Sequence, residues 1–475
     1  MESQYGSKNS VEANTRIRSP GVEIQTPATS HGETVPMEKS EIEALSNLAV
    51  QITNRDYLIS QHCVSLGADP SDVFSKARVY SDTVHRLRQT GVMQYGVPIE
   101  SKPGPTVRMK FFGEVRTLIM FASNDYLNLS TDPRVHEAII STMKNYGVGA
   151  GSSRVGTGFS YIHKQLEEKL AHSFGKEAAL LFPTGFDAIS SPAMTLMTPQ
   201  DRVIIDGASH ACILEGAHLS GATVRVFAHN DPERLEDALR RSREKAPTAG
   251  ILVIIEGAYS MDGDIARLPE IVPICKKYGA RLMVDEAHSV GVHGHQGHGS
   301  VEHFGLQKEV DMIGGTFSKS LGATGGFVAA DRDVITYLNF MSRKIVFSAA
   351  LPPILVAGVS AALDIMEQDS SLRERLWDNV KYLAKGMKEI GARVAGTETA
   401  SVPVLICNDG AMFGFTQDLI REGIFTFPVV YPTVPKGRSM FRLAVQTNHR
   451  KEDLDHTIEV FSRLLKKYEV SGEGH

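Results

Sequence analysis

Along the middle of the chain, short apolar runs alternate with longer amphipathic stretches. The runs AALLF, DRVIID, TVRVFAH, GILVIIEG, ARLMVDEA, VDMIGG and GGFVAA each have the length of a buried strand. Among them lie helical patterns such as HKQLEEKLAHSF and DPERLEDALRRSREK, the second opening with Asp231 as N-cap and Pro232 in its first turn. Strands alternating with helices predict an α/β architecture, a mostly parallel sheet covered by helices on both faces.

The pattern changes on either side. From about residue 346, long helices give way to short strands in VPVLICND and MFRLAVQ and to a helix near 451–467, which predicts a second, smaller α/β domain. Residues 1–38 are rich in Ser, Thr, Asn, Glu and Pro, with Tyr5 their only aromatic. Such a segment buries too little apolar surface to offset its ordering entropy, so a disordered tail is expected. Ile42, Leu45, Leu48, Ala49 and Ile52 then recur at helical spacing. The expected partition is a tail over 1–38, a helical extension over 39–95, an arm of the small domain over 96–140, a large domain over 141–345 and a C-terminal small domain over 346–475.

Composition narrows the function classes. At 475 residues the chain has room for two or three domains. A formal net charge of -5 gives no electrostatic reason to expect nucleic acid or an anionic membrane as partner. Cys63, Cys212, Cys275 and Cys407 are dispersed and form no CxxC pair, which fits a reducing compartment better than a disulfide framework or zinc site. No run of 18 apolar residues and no signal-peptide core occur, so the expectation is a cytoplasmic protein without a membrane span. HGHQGHGSVEH gathers His293, His295, His298 and His303, but glycines punctuate it. A metal needs rigid, supported ligands, and none is expected there.

Ligands bind at the carboxyl ends of the strands in open parallel sheets. Here those ends carry Asp206, Ser209 and His210; Glu256 and Ser260; Asp285 and His288; and Thr316, Ser318 and Lys319. Any one of them could be a cap or a solvated loop residue. Four sets on one edge argue for a site. Lys319 sits in GGTFSKSLGATGG. A phosphate-binding P-loop needs glycine immediately before its lysine and a long helix after it; here Ser318 precedes and the strand GGFVAA follows. A Schiff-base lysine for pyridoxal phosphate is the better reading. Asp285 then suits the pyridine nitrogen, Thr316 and Ser318 offer hydroxyls, and PTGFDA places Gly185 and Phe186 at a helix N-terminus suited to phosphate. His210 is a flat group able to stack on the ring, and His288 could reach its oxygen.

Over roughly residues 96–468 the chain resembles the α-oxoamine synthases, a family of fold-type I pyridoxal phosphate enzymes. The resemblance rests on SNDYLNLS, GAGSSRVGTGFSYIHKQLEEKLA, LFPTGFDA, SHACILEGA, EGAYSMDGD, VDEAHSVGVHGHQGHGS, TFSKSLGATGG, FSAALPP and PTVPKGRSMFRL, in that order. It implies that Lys319 forms the Schiff base and moves the substrate α-proton, and that Asp285 pairs with the pyridine nitrogen. It further implies that His288 and Ser260 lie near the ring oxygen, His210 on the ring face, and Thr316, Gly185 and Phe186 at the phosphate. Arg442, with Asn124, would bind the amino-acid carboxylate, and Ser348 would reach the phosphate region of a neighbouring subunit in a homodimer. The implied reaction condenses an amino acid with an acyl thioester, on coenzyme A or a carrier protein, with loss of carbon dioxide. Rivals are cleavage in the manner of aminoketobutyrate CoA ligase, transamination, and a catalytically silent subunit; retention of Lys319, Asp285 and His210 together argues against the last.

Two positions depart from relatives. Asn128 stands where many have glycine. Ser153 stands where the glycine-specific aminolevulinate enzymes carry threonine, and the smaller residue favours alanine or serine over glycine as substrate.

Overall fold

The computed structural model describes residues 63–64, 66–89, 94–431 and 433–470. The tail over 1–38 and the helical spacing at Ile42–Ile52 lie outside the described residues. Seven strands form the central sheet: β1 (Ala178–Phe182), β2 (Arg202–Asp206), β3 (Thr223–Phe227), β4 (Ile251–Glu256), β5 (Arg281–Asp285), β6 (Met312–Thr316) and β7 (Gly326–Ala330). Their spatial order is β1-β7-β6-β5-β4-β2-β3. Only β7 runs against its neighbours β1 and β6; the remaining pairs are parallel.

The near-continuous apolar strands are explained by two cores, one on each face. In β4, Leu252 and Ile254 enter one core, while Ile251, Val253 and Ile255 enter the other. The first core is roofed by the helices Gly185–Leu196, Ala211–Leu219 and Arg332–Met341, the second by Tyr161–Ser173, Pro232–Lys245 and Leu268–Lys277. Each large side chain so buried stabilises by about 1.5–3 kcal/mol before entropy is counted. Asp231 caps Pro232–Lys245 as expected, accepting from the N–H groups of Glu233 and Arg234.

Parallel strands bring their carboxyl ends to one edge. Glu256 is therefore directly opposite Asp285 across β4 and β5, and Asp206, Thr316 and the loop to Lys319 open on the same side. A second layer meets that edge. The hairpin Thr106–Phe111/Glu114–Met120 joins Ile424–Phe425, and a four-stranded antiparallel sheet contains Met440–Ala444, with Arg442 at its middle. The Ala444 N–H donates to Phe121 O and the Thr447 N–H to Tyr126 O, so the segment carrying Asn124 is tied along that strand.

Asn128 now has an explanation. It is buried with φ at 54°, in the left-handed region where glycine or asparagine is favoured. Its side chain adds what glycine cannot: Nδ2 donates to Gln446 Oε1, and Oδ1 accepts from the Asn448 N–H at 3.1 Å.

Among the described residues no helix is long and apolar enough to cross a membrane.

Candidate active site

Lys319 stands on a pinned loop. Phe317, fully buried, donates its N–H to Gly325 O and accepts from Ala323 N–H, which closes the turn after β6. Gly322 lies at φ 62°, and a Cβ there would meet the Ser130 backbone N at 2.3 Å. Ser320 Oγ donates to Val290 O at 2.6 Å. The neighbours are fixed and the amine is not: Lys319 Nζ makes no hydrogen bond or ion pair among the described residues. It lines a cavity of about 270 Å³ with Asp285, His288, His210 and Glu256. Lys319, His288, His210 and Glu256, though not Asp285, also line an adjoining cavity of about 540 Å³ that reaches Ser260, Asn124 and Arg442.

Burial sets the electrostatics. It pulls the Lys319 amine down to about 8, against the opposing pull of Asp285 and Glu256. It pushes Asp285 up to about 6, against the charge of Lys319. Burial and the nearby Asp285 raise Glu256 to about 8. A lysine and two carboxyl groups thus share a desolvated space, with their ordinary charges weakened. One oxygen of Asp285 accepts from the Ala287 N–H at 2.9 Å.

One side of the cavity is a closed ring of five side chains. Arg442 Nη1 donates to Ser260 Oγ (3.0 Å), Ser260 Oγ is hydrogen-bonded to His288 Nε2 (3.2 Å), and His288 Nδ1 to Tyr126 OH (2.8 Å). Tyr126 OH donates to Asn124 Oδ1 (3.3 Å), which also accepts from Arg442 Nη2 (3.1 Å). Burial, with the positive charges of Lys319 and Arg442, holds His288 well below its ordinary value, so it is neutral. Two of Arg442's five N–H donors are used, which leaves donors for a carboxylate.

On the opposite side, Gly185 opens the helix Gly185–Leu196, capped by Thr184 through the Asp187 N–H. Thr316 presses against it: a Cβ at Gly185 would meet Thr316 Oγ1 at 2.3 Å. Only glycine allows that approach, which sets a helix N-terminus beside the hydroxyls of Thr316 and Ser318, themselves 2.8 Å apart. Phe186 meets the exposed His210 ring edge-on at 6.5 Å.

Two expected residues stand apart. Ser153 and Ser348 line neither cavity; the antiparallel bridge Ser153↔Ala349 brings them together elsewhere on the surface. Of the histidine-rich loop, His293 is bonded to Glu398 O at 2.7 Å and His298 to Glu367 at 2.9 Å.

Three residues of the site were not singled out for a role from the sequence. Tyr126 had a signal, since it lies two residues after Asn124. Glu256 was visible as a strand-end carboxylate, but its bond to the His210 N–H at 2.6 Å was not. Cys212, 2.9 Å from His210 Nδ1, carried no signal beyond its spacing.

Residues 116–461 match the family described as aminotransferase class I and II. The chain is 40% identical over 387 residues to the serine palmitoyltransferase of Sphingobacterium spiritivorum, covering 82% of this chain and 95% of that one. It is 38% identical over 389 residues to the 8-amino-7-oxononanoate synthase of Thermoanaerobacter pseudethanolicus, covering 82% and 97%. This chain is an α-oxoamine synthase of the aminotransferase class I and II family. Among solved structures, the serine palmitoyltransferase of S. paucimobilis, a lysine-to-alanine variant with a bound PLP–myriocin aldimine, superimposes with a TM-score of 0.79 at 30% identity. The synthase covers all of that chain with 84% of its own, so the fold-type I architecture that the resemblance implied is the one found.

Proposed function

We propose that this synthase condenses L-serine with a long-chain acyl thioester, using pyridoxal 5′-phosphate, to give an α-aminoketone, carbon dioxide and a free thiol. The observation that carries the reading is Lys319, unpartnered in a cavity between the Asp285 carboxyl and the ring that holds Arg442. Serine and the long chain are supported by relatives named serine palmitoyltransferase at 40%, 36% and 38% identity. Relatives named 8-amino-7-oxononanoate synthase are as similar, so alanine is the rival amino acid.

The residues present fit the cofactor. The glycine-permitted contact of Gly185 with Thr316 leaves a helix N-terminus and two hydroxyls for a phosphate. Asp285 supplies a buried carboxyl for the pyridine nitrogen, and the flat ring of His210 lines the same cavity. When bound, pyridoxal 5′-phosphate supplies an aldehyde for amines and a protonated ring that takes up a carbanion's electrons.

The chain's own residues do the rest. Arg442, steadied by Ser260 and Asn124, receives the substrate carboxylate as a fork. The amine of Lys319, already near half-neutral around pH 8, removes the α-proton and returns one after decarboxylation. Neutral His288, held at both ring nitrogens by Tyr126 and Ser260, offers a fixed dipole at the reacting centre without adding charge.

A homodimer belongs to the same reading. Phe347 is 82% exposed and Phe340 64%, beside Ser348 and the loop bearing Ser153. A second copy of the chain covering this surface would let Ser348 and Ser153 serve the partner's cavity. The test is product analysis by mass spectrometry: cofactor-loaded protein with serine or alanine, and acyl-CoA or acyl-carrier protein of graded chain length. A serine-derived long-chain aminoketone supports the proposal. An alanine product at equal or higher rate overturns the choice of amino acid.

A further inference from the structure

His229, in the segment FAHND after β3, lies between the end of β2 and the small hairpin formed by Ala258–Tyr259 and Asp264–Ile265. Its Nδ1 is 2.9 Å from Asp206 Oδ1, and its Nε2 is 3.3 Å from Asp264 Oδ1. Asp206 is 1% exposed. The face of the imidazole is closed by Tyr259, edge-on at 4.5 Å. Asn230, at φ 50°, doubles the connection: its N–H donates to Asp206 Oδ2 (2.7 Å) and its Nδ2 to Asp264 Oδ2 (2.7 Å) and Ile265 O (3.0 Å).

The two carboxylates belong to different working parts. Asp206 opens the loop that carries His210, and its Oδ1 also accepts from the Ala208 N–H within that loop. Asp264 closes the hairpin that carries Ser260, the residue joining Arg442 to His288. A neutral imidazole has one N–H, yet here each ring nitrogen faces a carboxylate oxygen, an acceptor. The bridge therefore requires imidazolium. Although burial opposes that charge, the bonds to Asp206 and Asp264 overcome it and hold the ring near 10.

We infer that His229 is a positioning residue: a charged clamp that holds the His210 loop and the Ser260 hairpin in one register. It touches neither cavity. Its effect reaches the reaction because a displacement of about 1 Å in such a group can cost on the order of 100-fold in rate. The inference rests on the proposed function only for what His210 and Ser260 do.

The test uses cofactor-loaded protein, His229→Gln, and the double variant His229→Gln/Asp264→Asn, which leaves one fewer unpaired carboxylate. Hydrogen–deuterium exchange by mass spectrometry is read on segments 206–210 and 258–265, with the helix Lys451–Lys467 as control, alongside steady-state kinetics. The expected result for His229→Gln is faster exchange in both segments together, by about tenfold, an unchanged control helix, and an amino-acid KM raised about tenfold. The double variant recovers part of both losses. Faster exchange in one segment only, or both segments loosened with KM unmoved, overturns the clamp. Should the unaltered protein leave the α-proton of every amino acid in place, the proposed function falls, while the exchange data still decide the clamp.

Discussion

Arg442 and Ser260 are joined at 3.0 Å, and through that contact the guanidinium is linked to His288, which sits in the Lys319 cavity. The guanidinium and the histidine are therefore one mechanical unit. Removing the fork by Arg442→Ala is expected to raise the amino-acid KM about 100-fold, since a hydrogen bond to a charged group is worth about 1.5–3 kcal/mol. Arg442→Lys keeps the charge but not the fork, and most of that loss should remain. Steady-state kinetics with varied serine checks both.

Tyr126 is fully buried, and its hydroxyl holds His288 Nδ1 at 2.8 Å. Tyr126→Phe keeps the packing and removes that bond. The expected effect is a fall in kcat of about tenfold, from about 1–1.5 kcal/mol of lost orientation, with little change in Tm. An unchanged kcat would mean that Ser260 alone orients the ring.

Glu256 offers a pH test in cofactor-free protein. Burial, helped by Asp285, raises its carboxyl to about 8. The folded state thus binds a proton that the unfolded state has lost between its ordinary pKa near 4.5 and about 8. Stability from this group is present at low pH and is lost as pH rises through that window. Calorimetric Tm values from pH 5 to 9 should fall more steeply for the unaltered protein than for Glu256→Gln, and the variant should be the more stable at pH 9.

The strand-end residues were legible in the sequence because parallel strands force their carboxyl ends onto one edge. Asp285, Thr316 and Lys319 could be placed together without coordinates for that reason. Arg442 and Asn124 could be reached only through the resemblance. They lie 318 residues apart, and what joins them is the backbone tie of the segment 121–126 to the strand Met440–Ala444. Tyr126, Cys212 and the bridging role of His229 depend on side-chain directions that no periodicity encodes. Ser153 and Ser348 illustrate another case: the resemblance marks them as site residues, yet within one chain they line neither cavity that Lys319 lines.

Asn128 makes the left-handed turn and ties it to Gln446 and Asn448. Asn128→Ala should cost about 2 kcal/mol, combining left-handed strain with the lost buried bonds. Asn128→Gly removes the strain and should cost about 1 kcal/mol. Denaturant unfolding of the two variants beside the parent measures the difference.

Removal of the α-proton of a bound amino acid by Lys319 can be read by proton NMR in deuterated water. Cofactor-loaded protein is incubated with serine, alanine, glycine and threonine, with and without an acyl-CoA analogue. The serine α-proton signal is expected to disappear in the parent and to persist in Lys319→Ala, while the variant still binds the cofactor. Undiminished exchange in Lys319→Ala would show that another group is the base, and the absence of exchange with every amino acid in the parent would rule out carbanion formation from them.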